Sequence, residues 1–218
     1  MSNEIAPEPV TALLAWLAYQ NLWEAESLIT RSGQSSELGD RLTVARLSSD
    51  ALNRFTQACD VIPGGQTAAQ EAMAPLASPV DEFWTMTKPR VQTEERLRLM
   101  VLASIELELV QRLADRLPEP ARSVLTPAAG LWRAIDHGSS QVLDAINHHT
   151  RSVDELSLYA RRVLGENVVM AQRLLVREAD LRFVLAGEAD DELRISTAVL
   201  DEVLQSTAAR LAQLGLSV

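Results

Sequence analysis

Apolar residues return every three or four positions along most of this chain, the spacing of one buried helix face. Val10, Leu13, Leu14, Leu17, Ala25 and Leu28 form the first such stripe, with Asn21 lying on it. They predict a helix from about Pro9 to Arg31, stopped by Gly33. Residues 1–9 are polar and Pro-rich and are expected to be a disordered lead. After a turn at 34–37 with a capping serine, a second helix is expected from about Ser36 to Val61. Leu38, Leu42, Ala45, Ser49, Leu52, Thr56 and Cys59 are its expected inner face, one rich in small and polar side chains. The Pro and two Gly at 63–65 end it.

Residues 67–88 read as two short helices divided by Pro75 and Pro79. Such a crossover is long enough to carry the chain along a bundle, so that the second and third long helices run parallel. The third is expected from Gln92 to Leu117, capped by Thr93, with a stripe of Leu99, Leu102, Glu106, Leu109 and Leu113. The fourth runs from about Pro120 to His149, bent near Pro127 or Gly130, and carries Val124, Leu131, Ile135, Val142 and Ile146. Ser152 and Glu155 then form a capping box that opens a helix reaching Leu185. A last helix covers Asp190 to Leu214, joined by a loop so short that the two must be antiparallel. The expected fold is all-α: a four-helix bundle over about 10–149 and a helical hairpin over about 152–214, together one domain spanning 10–218.

Composition supports this class. Hydrophobic residues make up 47% of the 218, and Gly and Pro number only 9 each, with the prolines falling between periodic segments. The net charge of −10 argues against a large nucleic-acid footprint and leaves room only for a local basic patch. With Cys59 alone, an intrachain disulfide is impossible, and the thiol is expected in the core. The first ten residues lack the apolar run of a signal peptide, and no stretch reaches about 18 apolar residues. A cytoplasmic location with no membrane contact is expected.

Four long helices with a crossover after the second describe a ferritin-like bundle. A di-iron site in such a bundle needs an inward Glu from each of two helices and Glu-x-x-His from each of the other two. Three residues before His137, His148 and His149 stand Ala134, Ala145 and Ile146, so the chain has no Glu-x-x-His. Phosphate-binding glycine loops, zinc-type cysteine pairs and nucleophile elbows are absent as well.

The segments LLAWLAYQNLWEAESL (13–28), EAMAPLASPVDEFW (71–84), ARRVLGENVVMAQRL (160–174) and RLAQLGL (210–216) carry a resemblance. They resemble actinobacterial ferritin-like proteins related to the tRNA 2-methylthio-N6-isopentenyladenosine hydroxylase. That resemblance implies a ferritin-like fold and places the ligand positions of the family's first three helices on Asn21, on Asp50 and Asn53, and near Ser104. It places those of the fourth near 131–137, where Asp136 and His137 are the candidates. Most of these side chains are neutral and cannot balance the charge of iron.

The leading expectation is therefore a bundle that has lost its di-iron site. Asn21, Asp50, Asn53 and Ser104 would form a polar cluster where iron sits in relatives, with no cofactor, and the protein would act as a binding or scaffold subunit. A homodimer or another protein is the expected partner. The alternative is a di-iron hydroxylase acting on tRNA, with an unusual ligand set drawn from Glu24, Asp50, Glu106, Asp136 and His137. A third reading is small-molecule binding in the vacated cavity, lined by Ser49, Asn53 and Ser104. Glu106 interrupts a leucine stripe and should be buried against Arg133 or Arg161; Glu166, on the face of Val163 and Met170, should find an arginine too. Trp16, Tyr19 and Trp23 make an aromatic stripe, expected against the C-terminal helices or at a subunit interface.

Overall fold

The computed structural model describes residues 7–32 and 37–218. Within them every regular element is helical: α1 (Pro7–Ser32), α2 (Leu38–Asp60), α3 (Gly65–Met86), α4 (Gln92–Leu113), α5 (Ala121–Leu125), α6 (Ala129–Asn147), α7 (Val153–Arg177), α8 (Ala179–Ala186) and α9 (Glu192–Gln213), with a 3-10 turn after α4.

α1 pairs with α2 and α4 pairs with α6, and these four make the bundle. α3 lies along α1 and reaches α7, while α7, α8 and α9 close the remaining sides around α4 and α1. α4 is the central helix. Fifteen of its 22 residues are buried, so it carries no free polar face, and Arg96 and Arg98 are buried along with its leucines.

Several expectations are corrected here. The polar lead lies outside the described residues for 1–6, and its last three residues already belong to α1. Proline suits the first turn of a helix, where its missing N–H would be unpaired in any case. The serine cap expected before α2 falls on 34–36, also outside the described residues; Glu37 stands at the cap position and makes no side-chain bond there. Val91, not Thr93, stands at the N-cap of α4.

Pro75 and Pro79 lie inside one continuous helix rather than between two. The carbonyls they leave without a helical partner belong to Glu71 and Pro75, both exposed residues. The fourth long helix is split into α5 and α6, and the helix opening at Ser152 breaks at Glu178, where φ and ψ of −109° and 100° are extended. The break lets α8 pack on α1 and α9 with Leu181, Val184 and Leu185 buried. The Ser152–Glu155 capping box is present.

The largest correction concerns α2. Its buried face is Val44, Leu47, Ser48, Ala51 and Ala58. Leu38, Leu42 and Leu52 are 68%, 54% and 48% exposed, and Ala45, Ser49 and Thr56 are exposed with them. The expected inner stripe points outward because α1 covers the opposite side.

α4 and α6 approach very closely at Gly138. A Cβ there would stand 2.6 Å from the Arg96 carbonyl oxygen and 2.6 Å from the Met100 Cβ. Only glycine lets the two backbones meet at this point.

Candidate functional site

The bundle interior holds a charged cluster drawn from three helices. α1 supplies Asn21 and Glu24, one turn apart, on the same face as Leu17 and Leu28. α2 supplies Arg54, which follows Leu47 and Ala51 along the buried face. α4 supplies Glu106, between Leu102 and Leu109.

Arg54 is the hub. Its Nε donates to Asn21 Oδ1 at 2.7 Å and its Nη2 to Glu24 Oε1 at 3.1 Å. Glu106 Oε1 lies 3.5 Å from the same Nε. Asn21 Nδ2 donates to both Glu106 oxygens, at 3.3 and 3.2 Å, and to the Leu17 carbonyl at 2.7 Å. The amide thus joins the cation on one side to the carboxylate on the other.

Two carboxylates facing one guanidinium cannot both be cheaply ionised away from water. Burial pushes Glu24 from 4.5 up to about 7; Arg54 opposes the shift and the neighbouring Glu106 adds to it. Burial also raises Glu106, against the pull of Arg54 and the Asn21 hydrogen bond. The cluster therefore gains or loses a proton close to neutral pH.

A cavity of about 30 Å³ adjoins the two carboxylates, lined also by Trp16, Gln20, Leu102 and Asn167. Trp16 Nε1 is buried there and has no hydrogen-bond partner among the described residues. The volume suits a single water molecule and is far below that of a small organic ligand.

A second interior cluster lies about Arg96, which is fully buried. Its guanidinium binds Glu95 at 3.0 Å and Asp40 of α2 at 3.2 Å. His137 Nε2 stands 3.5 Å from Asp40 Oδ1, too long for a good hydrogen bond. Burial, with the Arg96 charge, lowers the His137 pKa; Asp40 opposes this only in part.

The predicted site residues separate. Asn21 sits at the centre of the first cluster, and Glu24 and Glu106 converge beside it. Asp50 accepts a bidentate pair from Arg133 instead, at 3.0 and 2.9 Å. Asn53 is exposed, since it falls on the outward side of α2. Ser104 is buried but donates to the Met100 carbonyl of its own helix at 2.8 Å. Glu106 meets Arg54 of α2 rather than Arg133 or Arg161. Glu166 has no ion pair among the described residues. Asp136 is exposed, and His137 belongs to the other cluster. Ser49 and Asn53, expected to line a vacated cavity, both face out of the bundle.

Tyr19 and Trp23 of the aromatic stripe meet α3 within the chain, whereas Trp16 lines the small cavity with α4 and Asn167 of α7. Trp23 stacks on Trp84 with centroids 5.8 Å apart, and Tyr19 Oη and Trp23 Nε1 both donate to Asp81, at 2.7 and 2.9 Å. Arg54 and Arg96 were the residues missed. Each had a signal: a charge at helical spacing among apolar residues whose face was assigned wrongly or not read for cations.

A family model described as "Ferritin-like domain, actinomycetes" matches residues 6–188. The chain belongs to this family. No curated protein matches it.

Iron is the group such a fold implies, and the residues present do not fit it. In this ferritin-like chain two carboxylates converge on a permanently charged guanidinium, not on open coordination positions. No group of three or more His, Cys, Asp or Glu close enough to hold a metal occurs among the described residues. No helix among them is long and apolar enough to cross a membrane.

Proposed function

We propose that this protein is a non-catalytic member of its family, in which an internal arginine has taken over the charge balance of a metal centre and the bundle serves as a scaffold or binding subunit. The observation that carries this reading is the guanidinium of Arg54, 3.1 Å from Glu24 and 3.5 Å from Glu106. Its fixed positive charge and hydrogen-bonding fork compensate buried anions without a metal. Di-iron hydroxylation of a tRNA base would need further carboxylates or imidazoles beside Glu24 and Glu106, whereas Asp50, Asp136 and His137 lie elsewhere.

The partner we propose is a second copy of the chain, held through the outer face of α2. Leu38, Leu42, Ala45, Ser49, Leu52 and Thr56 recur at alternating spacings of four and three, the seam of a two-helix coiled coil. One helix face exposed in both copies is self-complementary about a twofold axis.

Two measurements test the reading. Protein purified from iron-supplemented culture is expected to hold iron far below one atom per chain. A content near two, with an oxo-bridge absorption band, overturns the metal-free core. Light scattering is expected to report a dimer that Leu42→Glu converts to monomer; a monomeric parent protein removes the proposed partner and leaves the core reading intact.

A further inference from the structure

A cleft of about 750 Å³ lies between the start of α4 and the first turns of α7. Four arginines line it, Arg90, Arg151, Arg161 and Arg162, on a chain whose net charge is −10. Arg161 and Arg162 lie early in α7, Arg151 immediately precedes its N-cap Ser152, and Arg90 comes from the segment before α4.

The cleft also contains two carboxylates, both committed to the backbone. Glu94 accepts from the Arg90 amide at 2.5 Å, and Glu155 from the Ser152 amide at 3.2 Å in the capping box. Among the described residues, none of the four guanidinium groups takes part in an ion pair, although most other arginines of the chain do. Like charges gathered at a half-enclosed surface repel one another, and an anion between them relieves that cost.

The rest of the cleft is apolar. Leu156 and Tyr159 are buried in its floor, and Leu158 stands 66% exposed at its rim. The floor is rigid, because Tyr159 Oη donates to the Thr87 carbonyl at 2.7 Å and ties α7 to the segment before α4.

We propose that this cleft binds a small phosphorylated molecule with an apolar body. Guanidinium forks match phosphate oxygens in geometry and charge. The leucine and tyrosine surface takes the remainder, and the volume lies in the range of small-ligand sites. A nucleotide and a single-chain lipid phosphate share this chemistry. The site is separate from the Arg54 cluster and stands or falls independently of the metal-free core.

Calorimetric titration of the full chain with ADP and with dodecyl phosphate distinguishes the two sources. Inorganic pyrophosphate tests the phosphate alone, and adenosine tests the body alone. At least one of the two phosphorylated probes is expected to bind about tenfold or more tightly than pyrophosphate, and adenosine is expected not to bind measurably. Arg161→Gln with Arg162→Gln should weaken that binding about tenfold or more, and added salt should weaken it further. Both residues are exposed, so folding is preserved, which a melting curve checks. Arg194→Gln on α9, whose partner is Asp191, is the control and should change nothing. The proposal is overturned if neither phosphorylated probe binds at millimolar concentration, if the double variant binds equally well, or if pyrophosphate matches both probes.

Discussion

The two charged clusters inside this bundle solve one problem differently. Around Arg96, a fully buried guanidinium is held by Asp40 and Glu95, and a histidine beside it is kept neutral. Around Arg54, a guanidinium still 14% exposed faces the buried Glu24, which holds its proton to about pH 7, and the partly buried Glu106. The first cluster is a fixed ion pair network in the tightest part of the helix packing. The second adjusts its charge by protonation. A buried pair is costly to break because the remaining charge is stranded, and that cost is smaller wherever the stranded group can neutralise itself.

Removing each cation in turn gives the sharpest test. Arg96→Met strands Asp40 and Glu95 inside the bundle and is expected to cost about 3–5 kcal/mol in urea denaturation. Gly138→Ala attacks the same region through packing. Its Cβ would meet backbone and a side-chain root at 2.6 Å, so α4 and α6 must separate, at about 3 kcal/mol. Arg54→Met should cost less, about 1–3 kcal/mol at pH 8, and less again at pH 6, where Glu24 is already neutral. Equal losses for Arg54→Met at the two pH values, or a loss exceeding that of Arg96→Met, would erase the distinction between the clusters.

The clusters also pull stability in opposite directions with pH. The folded chain holds the Glu24 proton above the carboxyl's ordinary 4.5, so the folded state binds more protons than the unfolded one between 4.5 and about 7. Stability from this group is present below 4.5 and is lost as pH rises to about 7, in total about 3 kcal/mol. Glu24→Gln should flatten that decline and leave the protein more stable than its parent at pH 8. His137 has the reverse sign: its folded pKa is depressed below 6.5, so protonation favours the unfolded chain and stability falls as pH drops through 6.5. His137→Gln is expected to lessen this loss at about pH 5, the smallest effect of the set, because Asp40 opposes the shift.

How far the site was legible follows from particular residues. Asn21 is buried, as its stripe indicates, with Leu13, Leu14 and Leu17 before it and Leu28 after it. Glu106 was recognised as inward for the same reason, but its partner was not, since no periodicity says which neighbouring helix lies across from a given turn. α2 misled because it has two plausible faces. The stripe through Leu38, Leu42 and Leu52 carries three leucines at helical spacing, while the face that packs uses Val44, Leu47 and Ala51 and brings Arg54 inward with them. The resemblance put Asn53 at the site, whereas the face that packs brings its neighbour Arg54 inward, a cation in place of a neutral side chain.

The sequence by itself determined the helical class, the order of the long helices and the lack of Glu-x-x-His, because apolar spacing and residue identity are local properties of the chain. The tertiary structure alone decided which face of α2 is covered, that α3 runs unbroken through two prolines, and that Arg54 reaches Glu24 and Glu106. Those outcomes depend on what packs opposite each turn: burial and charge compensation are relations between helices, and a single helix's pattern leaves them undetermined.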